Sequence, residues 1–336
     1  MKRIMMIFSV FLFSIYVLCS LEFTVLHTND HHGSTLSVMW GDYEVAGLEV
    51  RAYLIEQHRT ENTLLLDAGD LNTGQTISNS FAAEPDIKSY NIIGYDAMAL
   101  GNHEFYGGLG RLRRQMRWAE FPFLSANIFH REQVAGSDIE GGFSIDWDGD
   151  DDIGSVSLYS AFRPFIIKTL PNGLRVAILG LTTTLKEFSD EVIVIDEVRI
   201  ANYLVPRLRE EADVVIALTH LGIYDVGNDS PYESGYVGSL RLAMEVEGID
   251  LIIDGDSHTL LEEPLIVNGT PILQAGHRGR YLGKASAFFD PDTAEFTLLS
   301  WECIPLYFGR NRNPLLRNQS ETSTAVKELL DGFISD

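Results

Sequence analysis

Cysteine is nearly missing from this 336-residue chain, which has only Cys19 and Cys303. With Cys19 at the end of what reads as an export signal, a chain cut there has no intramolecular disulfide, so cross-links do not hold the fold. Basic residues are also scarce. There are 25 Lys and Arg against 48 Asp and Glu, and the net charge of −23 excludes a basic face for nucleic acid. An anionic ligand is repelled at long range, so any attraction is local, and bound cations can supply it. No apolar run is long enough to span a bilayer comfortably: Ile4 to Val17 follows Lys2 and Arg3 but falls short of the ~20 residues a spanning helix needs. Residues 1–20 therefore read as a secretory signal, with a membrane anchor as the rival reading. Lipid attachment at Cys19 is the alternative to simple cleavage, although Leu18 stands where lipoprotein signals carry a small residue. No internal repeat is present.

What the chain does have is an apolar content of 45%, enough for one large domain or two small ones. Short apolar runs at Phe23 to Thr28, Thr63 to Leu66, Ala97 to Leu100, Val214 to Leu218 and Leu251 to Ile253 read as strands. Helical spacing recurs at Leu48, Ala52 and Ile55, and again in the arginine-rich segment Gly107 to Glu120, whose arginines read as a solvated face. From Phe165 the pattern changes to strand pairs, with Pro171-Asn172-Gly173 marking a hairpin, and more strands follow Leu265. Ser323 to Ser335 reads as a final helix with Val326, Leu329, Leu330 and Phe333 as its apolar face. Together these predict an α/β domain of two packed sheets with helices outside. The acidic run Asp146 to Asp152 lacks the glycine and glutamate of an EF-hand loop, with Asp151 and Ser157 in their places, and reads as a solvated loop.

Each of the five strands ends just before a segment rich in metal donors: Asp30-His31-His32, Gly69-Asp70, Gly101-Asn102-His103-Glu104, Thr219-His220 and Asp254-Gly255-Asp256-Ser257-His258. Asp30 and His32, two residues apart on a segment taken as extended, would point the same way, as would Asp256 and His258. The two oxygens of Asp70 could bridge two ions, Gly69 would allow close backbone approach, Asn102 offers a neutral oxygen and His220 an imidazole. Any one of these residues is more often structural. Five segments in the same relation to their strands point to a dinuclear metal centre. His31 reads as a support for the ligands or as solvent-facing, and His27 as hydrogen-bonded within its strand end. His277, Arg278 and Arg280 read as a loop bordering the site, with phosphate steering a role for either arginine. His58 and His130 carry no assigned chemistry.

The segments Leu26-His27-Thr28-Asn29-Asp30-His31-His32-Gly33, Asp67-Ala68-Gly69-Asp70, Gly101-Asn102-His103-Glu104-Phe105, Thr219-His220-Leu221-Gly222 and Gly255-Asp256-Ser257-His258-Thr259 resemble the calcineurin-like metallophosphoesterases, and among them the catalytic domain of the 5′-nucleotidase and UDP-sugar hydrolase family. The resemblance runs from about Phe23 to about Pro305 and includes Gln274-Ala275-Gly276 and Tyr281-Leu282-Gly283. It implies a four-layer α-β-β-α sandwich of two mixed sheets, with a catalytic domain over 21–310 and a linker-like helix over 311–336. It implies two divalent ions, Mn, Mg or Zn, one held by Asp30, His32, Asp70 and His258 and the other by Asp70, Asn102, His220 and Asp256, with His103 as the catalytic histidine. The implied activity is hydrolysis of a small phosphorylated substrate (a nucleoside monophosphate, cyclic nucleotide or UDP-sugar) by metal-bound hydroxide, in the periplasm or outside the cell. A non-catalytic metal- or ligand-binding protein on the same scaffold is the alternative.

Three departures stand out. The family has His where this chain has Asp256, which lowers the charge of the site and favours harder ions. It has Asp where this chain has Tyr106, which leaves His103 without a carboxylate partner. Its members continue into a nucleotide-holding domain; here a separate chain could supply one, or the open metal edge could accept a different phosphoester.

Overall fold

The computed structural model describes residues 21–131, 162–186, 188–225, 235–309 and 319–335. The export signal, Cys19, the acidic run 146–152 and the predicted boundary at residue 310 lie outside the described residues.

Two six-stranded mixed sheets stack face to face. The first runs in the order Glu295–Pro305, Tyr281–Asp290, Leu21–Thr28, Thr63–Asp67, Ala97–Ala99, Phe123–Leu124. The second runs Leu265–Val267, Thr270–Leu273, Leu251–Ile253, Val214–His220, Arg175–Thr182, Phe165–Thr169. Alternation along each strand explains the layers. Val25, Leu64 and Leu66 face Ile178, Ile216 and Ile253 between the sheets, while Leu26 and Leu65 turn outward to the helices. Helices Leu48–His58, Glu84–Ile93, Gly108–Trp118 and Glu321–Ser335 cover the first sheet, and Glu197–Glu211 and Gly238–Glu245 cover the second. The result is the four-layer α-β-β-α sandwich. The hairpin across Pro171-Asn172-Gly173 pairs Phe165–Thr169 with Arg175–Thr182 as its turn signal predicts.

The final helix begins two residues before the predicted start, because Ser320 and Ser323 cap it reciprocally: each hydroxyl accepts the other's backbone N–H, at 2.8 and 3.2 Å. Val326 and Leu330 enter the first core, and Phe333 packs edge-on against Phe81 at 5.0 Å. Among the described residues no helix is long and apolar enough to cross a membrane.

The topology places the donor segments. Leu21–Thr28, Thr63–Asp67 and Ala97–Ala99 are parallel neighbours in the first sheet, and Val214–His220 and Leu251–Ile253 are parallel neighbours in the second. All five strands therefore deliver their C-terminal ends to one rim of the sandwich, the usual place for a site in such sheets.

His27 departs from its predicted role. Both ring nitrogens are buried without a hydrogen-bond partner, and the ring stacks on Trp301 at 5.2 Å with 9° between planes. It sits there because Gly283 on the adjacent strand has no side chain: a Cβ would fall 2.3 Å from Nε2. Burial pushes the His27 pKa down to about 3. The unfolded chain, with a pKa near 6.5, then binds more protons than the folded one below pH 6.5, so stability is lost as pH falls through that window toward 3. His27→Phe keeps the stack and removes the titration. Its stability relative to the native chain should improve by about 2 kcal/mol between pH 7.5 and pH 5, as read from urea midpoints. An unchanged difference would contradict this account.

Candidate metal centre

At the rim the chain leaves strand geometry. Asp30, His32, Asp70, Asp256 and His258 all have left-handed backbones, with φ of 50, 46, 58, 71 and 57°. The extended readings of Asp30-x-His32 and Asp256-x-His258 are therefore corrected. Side chains on an extended strand project in parallel, whereas a left-handed coil wraps them around one point. Such conformations cost on the order of 1–3 kcal/mol each for non-glycine residues and are kept only where the surroundings enforce them.

The enforcement is visible in backbone hydrogen bonds. The N–H groups of Asp30 and His32 donate to the carbonyls of Gly69 and Asp70, each at 2.9 Å, and Arg278 N–H donates to the Asp30 carbonyl at 2.7 Å. Asn29 adds a clamp, donating to Asp30 Oδ2 at 2.7 Å and accepting from Ala275 N–H at 2.9 Å. Gly101 leaves room for Asp70, since a Cβ there would lie 2.2 Å from Asp70 Oδ1.

The donors converge. Asp70 is central: its Oδ2 lies 3.2 Å from His220 Nε2, 3.8 Å from His103 Nε2 and 3.9 Å from His32 Nε2. On one side His258 Nε2 is 3.4 Å from Asp30 Oδ1 and 3.0 Å from His32 Nε2. On the other, His220 Nε2 is 3.7 Å from Asp256 Oδ1. Three groups could each hold an ion: Asp30, His32 and His258; His32, Asp70 and His103; Asp30, Asp70 and His220.

Two buried atoms show which ligand the centre fits. Asn102 Oδ1 and His220 Nε2 form no hydrogen bond, and Nε2 points at the Asp70 carboxylate, 3.2 Å from Oδ2. Both are oriented for a cation. His220 Nδ1 donates to the Ala68 carbonyl at 2.6 Å, which directs Nε2 into the cluster, the orientation that a metal-binding imidazole uses. Asn102 Nδ2 donates to the Tyr106 hydroxyl at 2.8 Å, which turns Oδ1 the other way. Oxygen and nitrogen donors, three of them carboxylates, fit divalent ions.

The protonation pattern agrees. Burial alone lowers the pKa of His220, but the Asp70, Asp30 and Asp256 carboxylates outweigh it and hold the ring well above its usual value. Burial likewise pushes Asp70 up, and His220, His103 and His32 more than reverse that. The cluster favours positive charge.

His103 lies at the edge of the cluster, its side chain one-quarter exposed. Its Nδ1 pairs with the Thr73 hydroxyl, and its own N–H donates to Asp70 Oδ1 at 2.9 Å. Tyr106 does not support it by hydrogen bonding; the two rings pack at 4.3 Å, and the phenol serves Asn102. Burial lowers the His103 pKa while Asp70 opposes that shift. Tyr106→Phe therefore frees the Asn102 amide to rotate and should weaken divalent-ion affinity about 10- to 100-fold, measured by competition with a chelator. Unchanged affinity would contradict the role given to Tyr106.

His31 is not solvent-facing. It is fully buried between Arg51 at 3.0 Å and Asp86 at 2.9 Å, and Thr35 binds the same Asp86 oxygen at 2.5 Å, so it braces the loop that carries Asp30 and His32. Sequence reasoning gave no role to four further residues. Glu104 accepts the N–H groups of Asp70, Leu71, Asn72 and Gly101 at 2.8 to 3.3 Å. Asp254 accepts from Leu221, Gly222 and Thr219, and burial raises its pKa to about 6. Lys186 lies 3.6 Å from Asp256 Oδ1, and the Tyr224 hydroxyl donates to Oδ2 at 2.9 Å. The lower site charge expected from Asp256 is thus partly offset by Lys186. Glu104 and Asp254 each stand inside a donor segment, which was the one signal available; Lys186 and Tyr224 had none.

Residues 23–260 match the calcineurin-like phosphoesterase family model. The chain is 32% identical to a 5′-nucleotidase of Vibrio vulnificus, over 92% of this chain and 57% of that protein. Among solved structures it is similar to a 5′-nucleotidase precursor from Thermus thermophilus, with 26% identity, a TM-score of 0.70, and 94% of this chain covering 59% of that one. It is also similar to the calcineurin-like phosphoesterase YfkN from Bacillus subtilis, with 25% identity, a TM-score of 0.68 and coverage of 94% and 98%. The chain spans about half the length of the curated relatives it matches. A match over most of the chain, together with donors from five strand ends gathered around Asp70, leaves one conclusion: the chain belongs to the calcineurin-like phosphoesterase family.

Proposed function

We propose that this chain is an exported phosphoesterase that hydrolyses a small phosphorylated substrate, in the class of nucleoside monophosphates, cyclic nucleotides and UDP-sugars, at two divalent ions. The observation that carries the reading is the pair of orphaned buried donors, Asn102 Oδ1 and His220 Nε2, beside the Asp70 carboxylate. Asp30, His32, Asp70 and His258 would hold one ion, and Asp70, Asn102, His220 and Asp256 the other. When bound, the ions supply positive charge for the phosphate oxygens and an acidified water as nucleophile.

The remaining chemistry belongs to side chains. Thr73 and Asp70 hold His103 by Nδ1 and by its backbone N–H, so Nε2 is the nitrogen left facing the donor cluster, 3.8 Å from Asp70 Oδ2. There it donates a hydrogen bond to the developing charge or a proton to the leaving oxygen. Glu104 keeps the Asp70 loop rigid, so the donors need not reorganise during reaction. Export rests on Lys2, Arg3 and the apolar run to Val17.

The test is a substrate panel on purified chain loaded with Mn²⁺: an aryl phosphate, a bis-aryl phosphodiester, nucleoside monophosphates, cyclic nucleotides and UDP-sugars. The expected result is turnover of at least one class, lost on chelation. Tight metal binding without turnover of any would instead favour the non-catalytic binding protein.

A further inference from the structure

A second feature lies beside the metal-donor rim. Strands Val38–Trp40, Tyr43–Val45 and Tyr307–Gly309 form a small three-stranded sheet. With the turn ending at Tyr281 it encloses a cleft of about 230 Å³ lined by Trp40, Tyr43, Val45, Arg280, Tyr281 and Tyr307. Trp40 and Tyr43 are more than half exposed, at 56% and 52%, an unusual state for two large rings side by side. The Arg280 guanidinium lies 3.8 Å over the Trp40 ring. Tyr307 packs edge-on against both Tyr43 and Tyr281, and the Tyr281 and Tyr307 hydroxyls meet at 3.3 Å.

Two observations point to a ligand. In a chain with 48 acidic residues, Arg278 and Arg280 have no carboxylate partner among the described residues. The turn that carries them is also tied to the candidate centre: Arg278 N–H donates to the Asp30 carbonyl at 2.7 Å, and the His277 ring stacks on His258 at 4.4 Å. Arg280 is two residues further on, a chain reach of at most about 7 Å. A substrate with its phosphate at the metal donors would place the next part of the molecule against this cleft.

We propose that the cleft is a stacking site for the planar base of a nucleotide substrate, with Trp40 and Tyr307 as the stacking faces and Arg280 as the cation that holds the base edge or a second phosphate. The chain would then carry base recognition within its own catalytic domain. The proposal rests on the phosphoesterase reading above, and the experiment separates the two.

Adenosine binding to the metal-free chain, by equilibrium dialysis, reads the cleft without catalysis. The native chain should bind adenosine, and Trp40→Ala and Tyr307→Ala should each weaken it about tenfold. With metal loaded, Trp40→Ala should raise KM for adenosine 5′-monophosphate about tenfold and lower kcat/KM for that substrate relative to glycerol phosphate by a similar factor. Adenosine binding that is absent, or equal in Trp40→Ala, overturns the cleft even if hydrolysis proceeds. Trp40-dependent binding in a chain that hydrolyses nothing upholds the cleft and overturns the enzyme.

Discussion

Replacing Asp70 with asparagine should lower phosphoesterase turnover on the order of a thousandfold or more and reduce bound Mn²⁺ from two ions per chain to one or none. The expectation follows from position. Asp70 is the residue that His32, His103 and His220 all approach within 4 Å, and it is nearly fully buried. A charge held there without counter-charge is costly, which is why His220 is pushed toward its protonated form. Asparagine keeps the shape and the hydrogen bond from His103 N–H but removes the charge and one bridging oxygen. Turnover within tenfold of the native chain, with both ions retained, would show that Asp70 does not bridge the centre.

The second large effect should come from a residue that touches no substrate. Each Glu104 oxygen accepts at least two N–H groups: Oε2 takes those of Asp70 and Gly101, and Oε1 takes those of Leu71 and Asn72 with the Asn72 side chain. Burial and the Asp70 charge both push the Glu104 pKa up, and the backbone donors pull against them. Glu104→Gln turns one acceptor into a donor facing two backbone N–H groups. Since each buried, unsatisfied group costs about 1–3 kcal/mol, a loss of about 2–5 kcal/mol of stability follows, read as a shift in urea midpoint. Turnover should fall with it, because the left-handed backbone of Asp70 depends on this support. Glu104→Gln with native stability would mean that the loop is held by other contacts.

These cases show what the sequence could and could not display. The five strands were legible because short apolar runs such as Val214–His220, buried along their whole length, stand out between polar segments. The donors were legible because Asp, Asn and His recur at the same place after each strand. The coil of the site was not. Counting residues along Asp30-x-His32 assumes an extended backbone, and the left-handed turns there are set by partners about forty residues away, at Gly69 and Asp70. Glu104 was quoted in its motif yet had no readable role, because a carboxylate that collects backbone N–H groups is recognised only once the loop exists. His27 met Trp301 and Lys186 met Asp256 through topology alone. The cleft at Trp40 is another such case, since its walls come from residues 40–45 and 280–307.

The central claim is that this rim holds two divalent ions, and anomalous scattering from a crystal of the Mn²⁺-loaded chain tests it most directly. The account predicts two peaks, one among Asp30, His32, Asp70 and His258 and one among Asp70, Asn102, His220 and Asp256. A single peak, or none between these residues, would contradict it.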